Sequence, residues 1–427
     1  MDQIRIIGGS PLSGTVTIQG SKNAALPMMA ASLLQEGVCV LKGCPRIADV
    51  FCMEEILKTL GAMTHWEDNN LYLDCSHIRN FAVTTEYTKR MRSSIMLLGA
   101  VTGRMGKGCI GYPGGCVIGK RPIDMHLEVL KRLGAEILEE GGVLCADTGK
   151  KGFRGAEIVF EKSSVGATEQ GILAGVCALG DTWLYHCAKE PEIYWLGEFL
   201  NQMGASVSGA GTDVIHIQGR KKLKGISFRI PPDRIVAGTY ICAGAATRGK
   251  VILKNPPLQE LEAFLKVYQK MGGQYKVNSG KLTTDSSRVG LPVPYLETDV
   301  FPGFPTDLQS QVLAVLTTAE GMSHIRETIF EDRFKAAREL RKMGADIEVQ
   351  GQDAWVRGRP YLTGTQVRAE GLRGGAALVL AGLGAVGETI ISGCSYITRG
   401  YEHICEDLAG LGGKIEGNTR KIYEGNI

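Results

Sequence analysis

The chain has 427 residues, more than one hydrophobic core usually holds, so two domains are expected. Hydrophobic residues make up 44% and charged residues 22%, an ordinary globular composition; a net charge of +3, with no basic stripe among aromatics, argues against a nucleic-acid partner. No run reaches 18 apolar residues and Met1–Gly20 has no signal-like apolar stretch, so no membrane association and a cytoplasmic location are expected.

In chain order, Gln3–Gln19 comes first and ends in a strand-like Thr-Val-Thr-Ile; it is expected to return and complete the last repeat. A unit then recurs six times. An apolar helix rich in small residues (23–34 in the first copy, 308–318 in the fifth) ends at a glycine followed four residues later by an aliphatic residue: Gly37/Leu41, Gly106/Ile110, Gly180/Leu184, Gly249/Leu253, Gly321/Ile325 and Gly387/Ile391. A short strand and a loop lead into an amphipathic helix, with Leu196, Phe199, Leu200 and Met203, or Leu261, Phe264, Leu265 and Tyr268, at i, i+3, i+4, i+7. That helix closes at Leu-Gly or Met-Gly, with glycines at 61, 134, 204, 272, 344 and 412, spaced 73, 70, 68, 72 and 68 residues apart. Hairpin turns follow at Asp68-Asn69-Asn70, Gly141-Gly142, Asn278-Ser279-Gly280 and Gly417-Asn418-Thr419. The unit reads as βαβαββ, and three units around buried helices make one domain. Two prolines interrupt the pattern in Phe228–Asp233, which puts residues 21–230 in the first domain and residues 1–20 plus 231–427 in the second, with the active site expected in the cleft between them.

The first-to-closing glycine distance is 24, 28, 24, 23, 23 and 25, so the second repeat alone carries an insertion, Gly-Tyr-Pro-Gly-Gly-Cys-Val-Ile-Gly-Lys-Arg-Pro at 111–122. An insertion in one copy marks a working loop. Cys116 in it has Lys120 and Arg121 as cationic neighbours, the setting that lowers a thiol from its free pKa of about 8.5. Gly114–Lys120 imitates the start of a P-loop, but Arg121 and Pro122 stand where the magnesium-binding hydroxyl belongs, so nucleotide hydrolysis is rejected. The twelve cysteines form no Cys-x-x-Cys pair and read as small buried hydrophobes. The seven histidines show no ligand spacing, so neither a metal nor a cofactor is expected.

Polar residues gather at two equivalent places in the repeats. Lys22-Asn23, Arg92, Ser164, Asp233-Arg234, Asp307 and Arg373 stand where the small-residue helix starts; Arg46, Cys116 with Arg121, Glu190, Arg333 and Arg399 stand before the amphipathic helix. An arginine at a helix start is ordinarily a solvated surface group. Repeated placement against the local dipole, at up to about 1 kcal/mol each, points instead to an anion site. Asp307 reads equally as a helix cap.

Several motifs resemble the enolpyruvyl transferases that act as UDP-N-acetylglucosamine 1-carboxyvinyltransferases: Gly-Ser-Lys-Asn-Ala-Ala (20–25), Pro-Gly-Gly-Cys-x-Ile-Gly-x-Arg-Pro (113–122), Phe-Pro-Thr-Asp-Leu-Gln (304–309), Glu-Thr-Ile-Phe-Glu-Asp-Arg-Phe (327–334) and Arg-Gly-Tyr-Glu (399–402). The resemblance covers the whole chain and implies a two-domain inside-out α/β barrel of six βαβαββ repeats. It also implies transfer of enolpyruvyl from phosphoenolpyruvate to a sugar 3′-hydroxyl. By motif, Cys116 resembles the acid that protonates phosphoenolpyruvate and is alkylated by fosfomycin, and Asp307 the base at the hydroxyl. Lys22, Asn23, Arg121, Arg373 and Arg399 resemble the phosphoenolpyruvate clamp, with Arg333 also in the cleft. Asn23, Arg92, Arg121, Pro122, Ile123, Asp124, Met125, Lys162, Ser163, Ser164, Val165, Asp307 and Ile329 resemble the contacts to UDP-N-acetylglucosamine. The chain departs from the family where Gly371 replaces an aspartate, with Glu370 beside it, and where Thr398 and His403 flank Arg399–Glu402. Two other readings are an enolpyruvylshikimate-phosphate synthase-like transferase and a catalytically weakened paralogue that binds the nucleotide sugar as a regulator. The oligomeric state is not legible.

Overall fold

The six closing glycines share one backbone requirement. Their φ angles are 109° at Gly61, 94° at Gly134, 104° at Gly204, 98° at Gly272, 94° at Gly344 and 90° at Gly412. A side chain in this left-handed region costs roughly 1–2 kcal/mol, which explains the constancy of glycine at that point of the repeat. The preceding turn of helix is held by burial: Leu196, Phe199, Leu200 and Met203 on the helix Pro191–Met203 are fully enclosed, each contributing about 1.5–3 kcal/mol.

The computed structural model describes residues 3–114, 118–119, 122–219 and 222–417. Among them, six four-stranded sheets repeat one pattern. In the third repeat, Glu157–Val159 runs parallel to Asp181–Tyr185, which pairs antiparallel with Val214–Gln218, which in turn pairs with Ser206–Ser208. Strands alternate in burial, so one face of each sheet covers the small-residue helices. Those helices lie in the core along most of their length, as Leu372–Gly384 and Arg234–Ala246 show. Glycine permits the close approach: a Cβ on Gly238 would lie 2.5 Å from Leu308 Cδ1.

By contacts the described residues fall into two units, one of residues 20–114, 122–219 and 222–231, the other of residues 3–19, 118–119 and 232–417. Each has its own core, running from Ala24 to Ile230 in the first and from Ile4 to Ile415 in the second. The N-terminal segment returns to complete the sixth repeat, as expected of Gln3–Gln19, but it divides between two sheets. Gln3–Ile7, not the Thr-Val-Thr-Ile stretch, enters the sixth sheet, pairing antiparallel with Glu388–Ser392 and with Lys414–Gly417. It takes the place beside Glu388–Ser392 that a second hairpin strand holds in the other sheets, Ile4 and Ile6 alternating with exposed neighbours to supply the buried face; the turn expected at Gly417-Asn418-Thr419 runs outside the described residues. Ser13–Thr17 lies instead in the fourth sheet, parallel to Lys250–Lys254. The corresponding place in the first sheet goes to Ser227–Arg229, parallel to Val38–Lys42.

The cysteines also differ from expectation. Cys109 and Cys145 face each other in register on Lys107–Gly111 and Val143–Asp147 and form a disulfide. Scattered spacing hides such a pair, because the partners are 36 residues apart and meet only through sheet register. Closing a loop of that length stabilises a fold by about 3–4 kcal/mol in the chain-entropy account. Reduction with dithiothreitol, or the double change Cys109→Ser and Cys145→Ser, is expected to lower the thermal unfolding midpoint of the N-terminal unit, as scanning calorimetry would record.

Candidate functional site

In the N-terminal unit, Ser21 caps the helix Lys22–Ala31 by accepting from the Ala24 N–H. The cap brings Lys22 and Asn23 to the first turn, and both meet buried carboxylates from other helices. Lys22 Nζ is 3.2 Å from Asp49 Oδ2, in the first turn of Ala48–Leu60. Asn23 Nδ2 donates to Glu192 Oε1 at 3.2 Å, in the first turn of Pro191–Met203. Glu169 lies behind them on Val165–Val176, and its carboxyl is raised well above the usual range by burial, then by Glu192 and Glu190.

A second group of the same unit gathers around the helix Asp124–Arg132. Arg92 Nη2 donates to the Pro122 carbonyl at 3.1 Å, and His126 abuts Gly166, where a Cβ would lie 2.7 Å from the imidazole Cε1. That packing brings Pro122, Ile123, Asp124 and Met125 beside the start of Val165–Val176. Lys162 and Ser163 are exposed there, and Ser164 caps the helix by accepting from Ala167 N–H at 3.4 Å. The stem of the inserted loop is anchored too, as Gly114 N–H donates to the Thr88 carbonyl at 2.8 Å. Cys116 and Arg121 lie outside the described residues.

The C-terminal unit is built around Asp307. Its Oδ1 accepts from Arg333 Nη2 at 2.5 Å and its Oδ2 from Arg373 Nη2 at 2.7 Å. Asp307 is not a simple helix cap, since both carboxylate oxygens are turned to guanidiniums. Burial would lower the Arg373 pKa, but Asp307, Tyr401 and Asp233 outweigh it and raise the value above the ordinary arginine range. Tyr401 lies under that guanidinium at 5.9 Å and bonds through its hydroxyl to Thr239 at 2.8 Å and Gln311 at 3.3 Å. Glu327 ties Ile329 to the same place: its Oε1 accepts from the N–H groups of Ile329 and Phe330 and from the Thr306 hydroxyl. Arg399 ends the short helix Cys394–Arg399, and Gln19 clasps the residues after it, donating to the Gly400 carbonyl and accepting from Glu402 N–H. In this unit Asp332 N–H donates to the Ile118 carbonyl at 3.1 Å.

Asp49, Glu192, Glu169 and Glu327 escaped the sequence reading. Glu327 stands inside a quoted motif; the others carry no local signal, because their roles depend on helices distant in the chain. Among the described residues no cluster of three or more His, Cys, Asp or Glu fits a metal, and no helix is long and apolar enough to cross a membrane.

A family model described as EPSP synthase (3-phosphoshikimate 1-carboxyvinyltransferase) matches residues 6–408. The chain belongs to this family of carboxyvinyl transferases. It is 44% identical, over 97% of its length and 99% of the relative, to UDP-N-acetylglucosamine 1-carboxyvinyltransferase 2 of Caldanaerobacter subterraneus subsp. tengcongensis. It is 43% identical, over 99% of its length and 98% of the relative, to the UDP-N-acetylglucosamine 1-carboxyvinyltransferase of Coxiella burnetii. Among solved structures, the enolpyruvyl transferase NikO from Streptomyces tendae matches with a TM-score of 0.85 at 25% identity, covering 97% of this chain and 98% of that one. The EPSP synthase from Acinetobacter baumannii matches with a TM-score of 0.75 at 19% identity, covering 97% of this chain and 100% of that one, and bears on fold alone. The fold class expected from the repeats, an enolpyruvyl transferase-like α/β barrel of six units, holds.

The departures from the family motif take definite places. Glu370 pairs with Arg338 at the surface, not with the buried guanidiniums. Gly371 stands at the N-cap of Leu372–Gly384 with extended backbone and no side-chain cap, and Thr398 donates to the Ser395 carbonyl. Glu370→Gln is therefore expected to leave the turnover number within about twofold of wild type in steady-state assays, since a surface ion pair contributes about 0–1 kcal/mol. Gly371→Asp supplies a capping oxygen, and by analogy with other caps should raise stability by a few tenths of a kcal/mol to about 1 kcal/mol, read as a higher thermal midpoint.

Proposed function

We propose that the chain transfers the enolpyruvyl group of phosphoenolpyruvate to the 3′-hydroxyl of UDP-N-acetylglucosamine and releases phosphate, the first committed step of peptidoglycan synthesis. The near full-length likeness to relatives bearing that activity in their names supports the substrate pair. The observation that carries the chemistry is Asp307, whose two carboxylate oxygens pair with two buried arginines.

In this reading Cys116 protonates C3 of phosphoenolpyruvate while the sugar oxygen bonds to C2 and Asp307 takes the hydroxyl proton. Loss of phosphate and of a C3 proton from the tetrahedral ketal then restores the double bond. Lys22, Arg121, Arg373 and Arg399 hold the phosphate and carboxylate of phosphoenolpyruvate, for which several charge-assisted bonds are needed. Arg92, Pro122–Met125, Lys162–Val165 and Ile329 hold the nucleotide sugar, joined by Asn23. Each Asp307 oxygen accepts from one guanidinium and keeps a second lone pair, which the sugar hydroxyl can approach. No metal or cofactor is needed for this balance. A cytoplasmic site of action is part of the proposal, both substrates being phosphorylated metabolites.

A phosphate-release assay tests the reading directly. Release is expected with phosphoenolpyruvate and UDP-N-acetylglucosamine together. Release with shikimate 3-phosphate in place of the sugar would identify the sister activity, and nucleotide-sugar binding without release would identify a regulator. Cys116→Ser is expected to lower turnover by about 10²–10⁴-fold, as loss of a general acid does. Cys116→Asp is expected to retain activity and resist fosfomycin, because a carboxyl donates a proton but offers no sulfur to the epoxide. Intact-mass spectrometry should find one fosfomycin adduct, on Cys116; adducts spread over other cysteines would place the chemistry elsewhere.

A further inference from the structure

We infer that Glu192 is a positioning residue, which fixes the Asn23 carboxamide with its NH2 turned inward so that Asn23 presents an acceptor to the sugar nucleotide. The inference rests on the functional reading above and extends it to a residue that does not itself touch the substrate. The Asn23 side chain can offer a ligand either its carbonyl or its NH2, and the two faces select opposite chemistry. Its Nδ2 donates to Glu192 Oε1 at 3.2 Å. A carboxylate only accepts and an NH2 only donates, so this pairing has one orientation. The carbonyl is left for a donor on the ligand, such as an acetamido N–H or a sugar hydroxyl.

Two further observations make Glu192 a dependable acceptor. Its side chain is 6% exposed and belongs to the first turn of Pro191–Met203, where backbone N–H groups and the helix dipole favour the anion. Glu169, also buried, has its carboxyl raised well above the usual range by burial first and then by Glu192 and Glu190. Lys22, the preceding residue, is held in the same manner by Asp49, so each member of the Lys22-Asn23 pair stands on a carboxylate from a different helix.

An exchange of donor and acceptor tests the role. Glu192→Gln and Asn23→Asp are each expected to raise the KM for UDP-N-acetylglucosamine by about tenfold, the first by freeing the amide to turn over, the second by setting two carboxylates against each other. The double variant Asn23→Asp with Glu192→Gln restores a matched pair, the glutamine NH2 donating outward to one oxygen of the new aspartate while its other oxygen faces the ligand. It is expected to recover most of the loss, which neither a purely structural role nor independent ligand contacts would produce. The matched pair also keeps the test readable where a single variant folds poorly, with circular dichroism as the check. A double variant no better than the worse single, or a Glu192→Gln enzyme with wild-type KM values, overturns the positioning role. Calorimetry of wild type with UDP-N-acetylglucosamine separates the two ideas: no binding there overturns the functional reading, whereas additive losses in a wild type that binds overturn only the role of Glu192.

Discussion

A guanidinium keeps its proton when buried, so Arg373 and Arg333, 6% and 7% exposed, oblige the C-terminal unit to enclose a carboxylate with them. Removing such ions from water costs several kcal/mol each, and the cost is offset only where geometry and hydrogen bonding are complete. Asp307 gives one oxygen to each arginine, and Asp233 adds its field at Arg373. Much else follows from holding that carboxylate still. Glu327 pins the Thr306 hydroxyl and the turn at Ile329; Tyr401, Thr239 and Gln311 shape the floor beneath Arg373. Helix starts from three repeats, at 234, 309 and 372, are thereby tied to one charge pattern.

The N-terminal unit solves the same problem with smaller groups. Lys22 is compensated by Asp49 and Asn23 by Glu192, and burial with the fields of Glu192 and Glu190 raises the Glu169 carboxyl well above its usual range. In both units the group that faces substrate in the proposed reaction is the outer member of a pair. Its inner partner comes from elsewhere in the chain and sets its direction.

The fold was legible because its constraints are local and repeated. A left-handed turn after each amphipathic helix demands glycine, and six glycines at near-constant spacing expose the unit without any knowledge of contacts. Where a place in a sheet is filled from a distant part of the chain, that legibility stops. The return of Gln3–Ile7 to the sixth sheet was expected, but Ser13–Thr17 entered the fourth, because strand pairing depends on register and burial and not on proximity in sequence. The candidate site divides in the same way. Asp307, Arg373, Lys22 and Asn23 stand in motifs that their residue types mark as chemical. Glu192 lies 169 residues from Asn23 and looks like any acidic residue in a helix's first turn. The Cys109–Cys145 pair was missed for that reason too, while Glu370, close to Arg373 in sequence, turns away to Arg338.

The pairing of Gln3–Ile7 with Glu388–Ser392 and Lys414–Gly417 has a consequence during synthesis. The strand leaves the ribosome before its partners, which lie nearly four hundred residues further along the chain. At about 5–20 residues per second it waits roughly 20–80 s, with its hydrogen-bonding edges open and Ile4 and Ile6 uncovered. The N-terminal unit lies wholly within that interval: Ser21 N–H meets the Pro231 carbonyl, and Ser227–Arg229 closes its first sheet, before any of the sixth repeat exists. One half of the protein can therefore finish folding while the segment that precedes it is still unpaired. Any factor that shields a nascent chain has that interval in which to act on Gln3–Ile7.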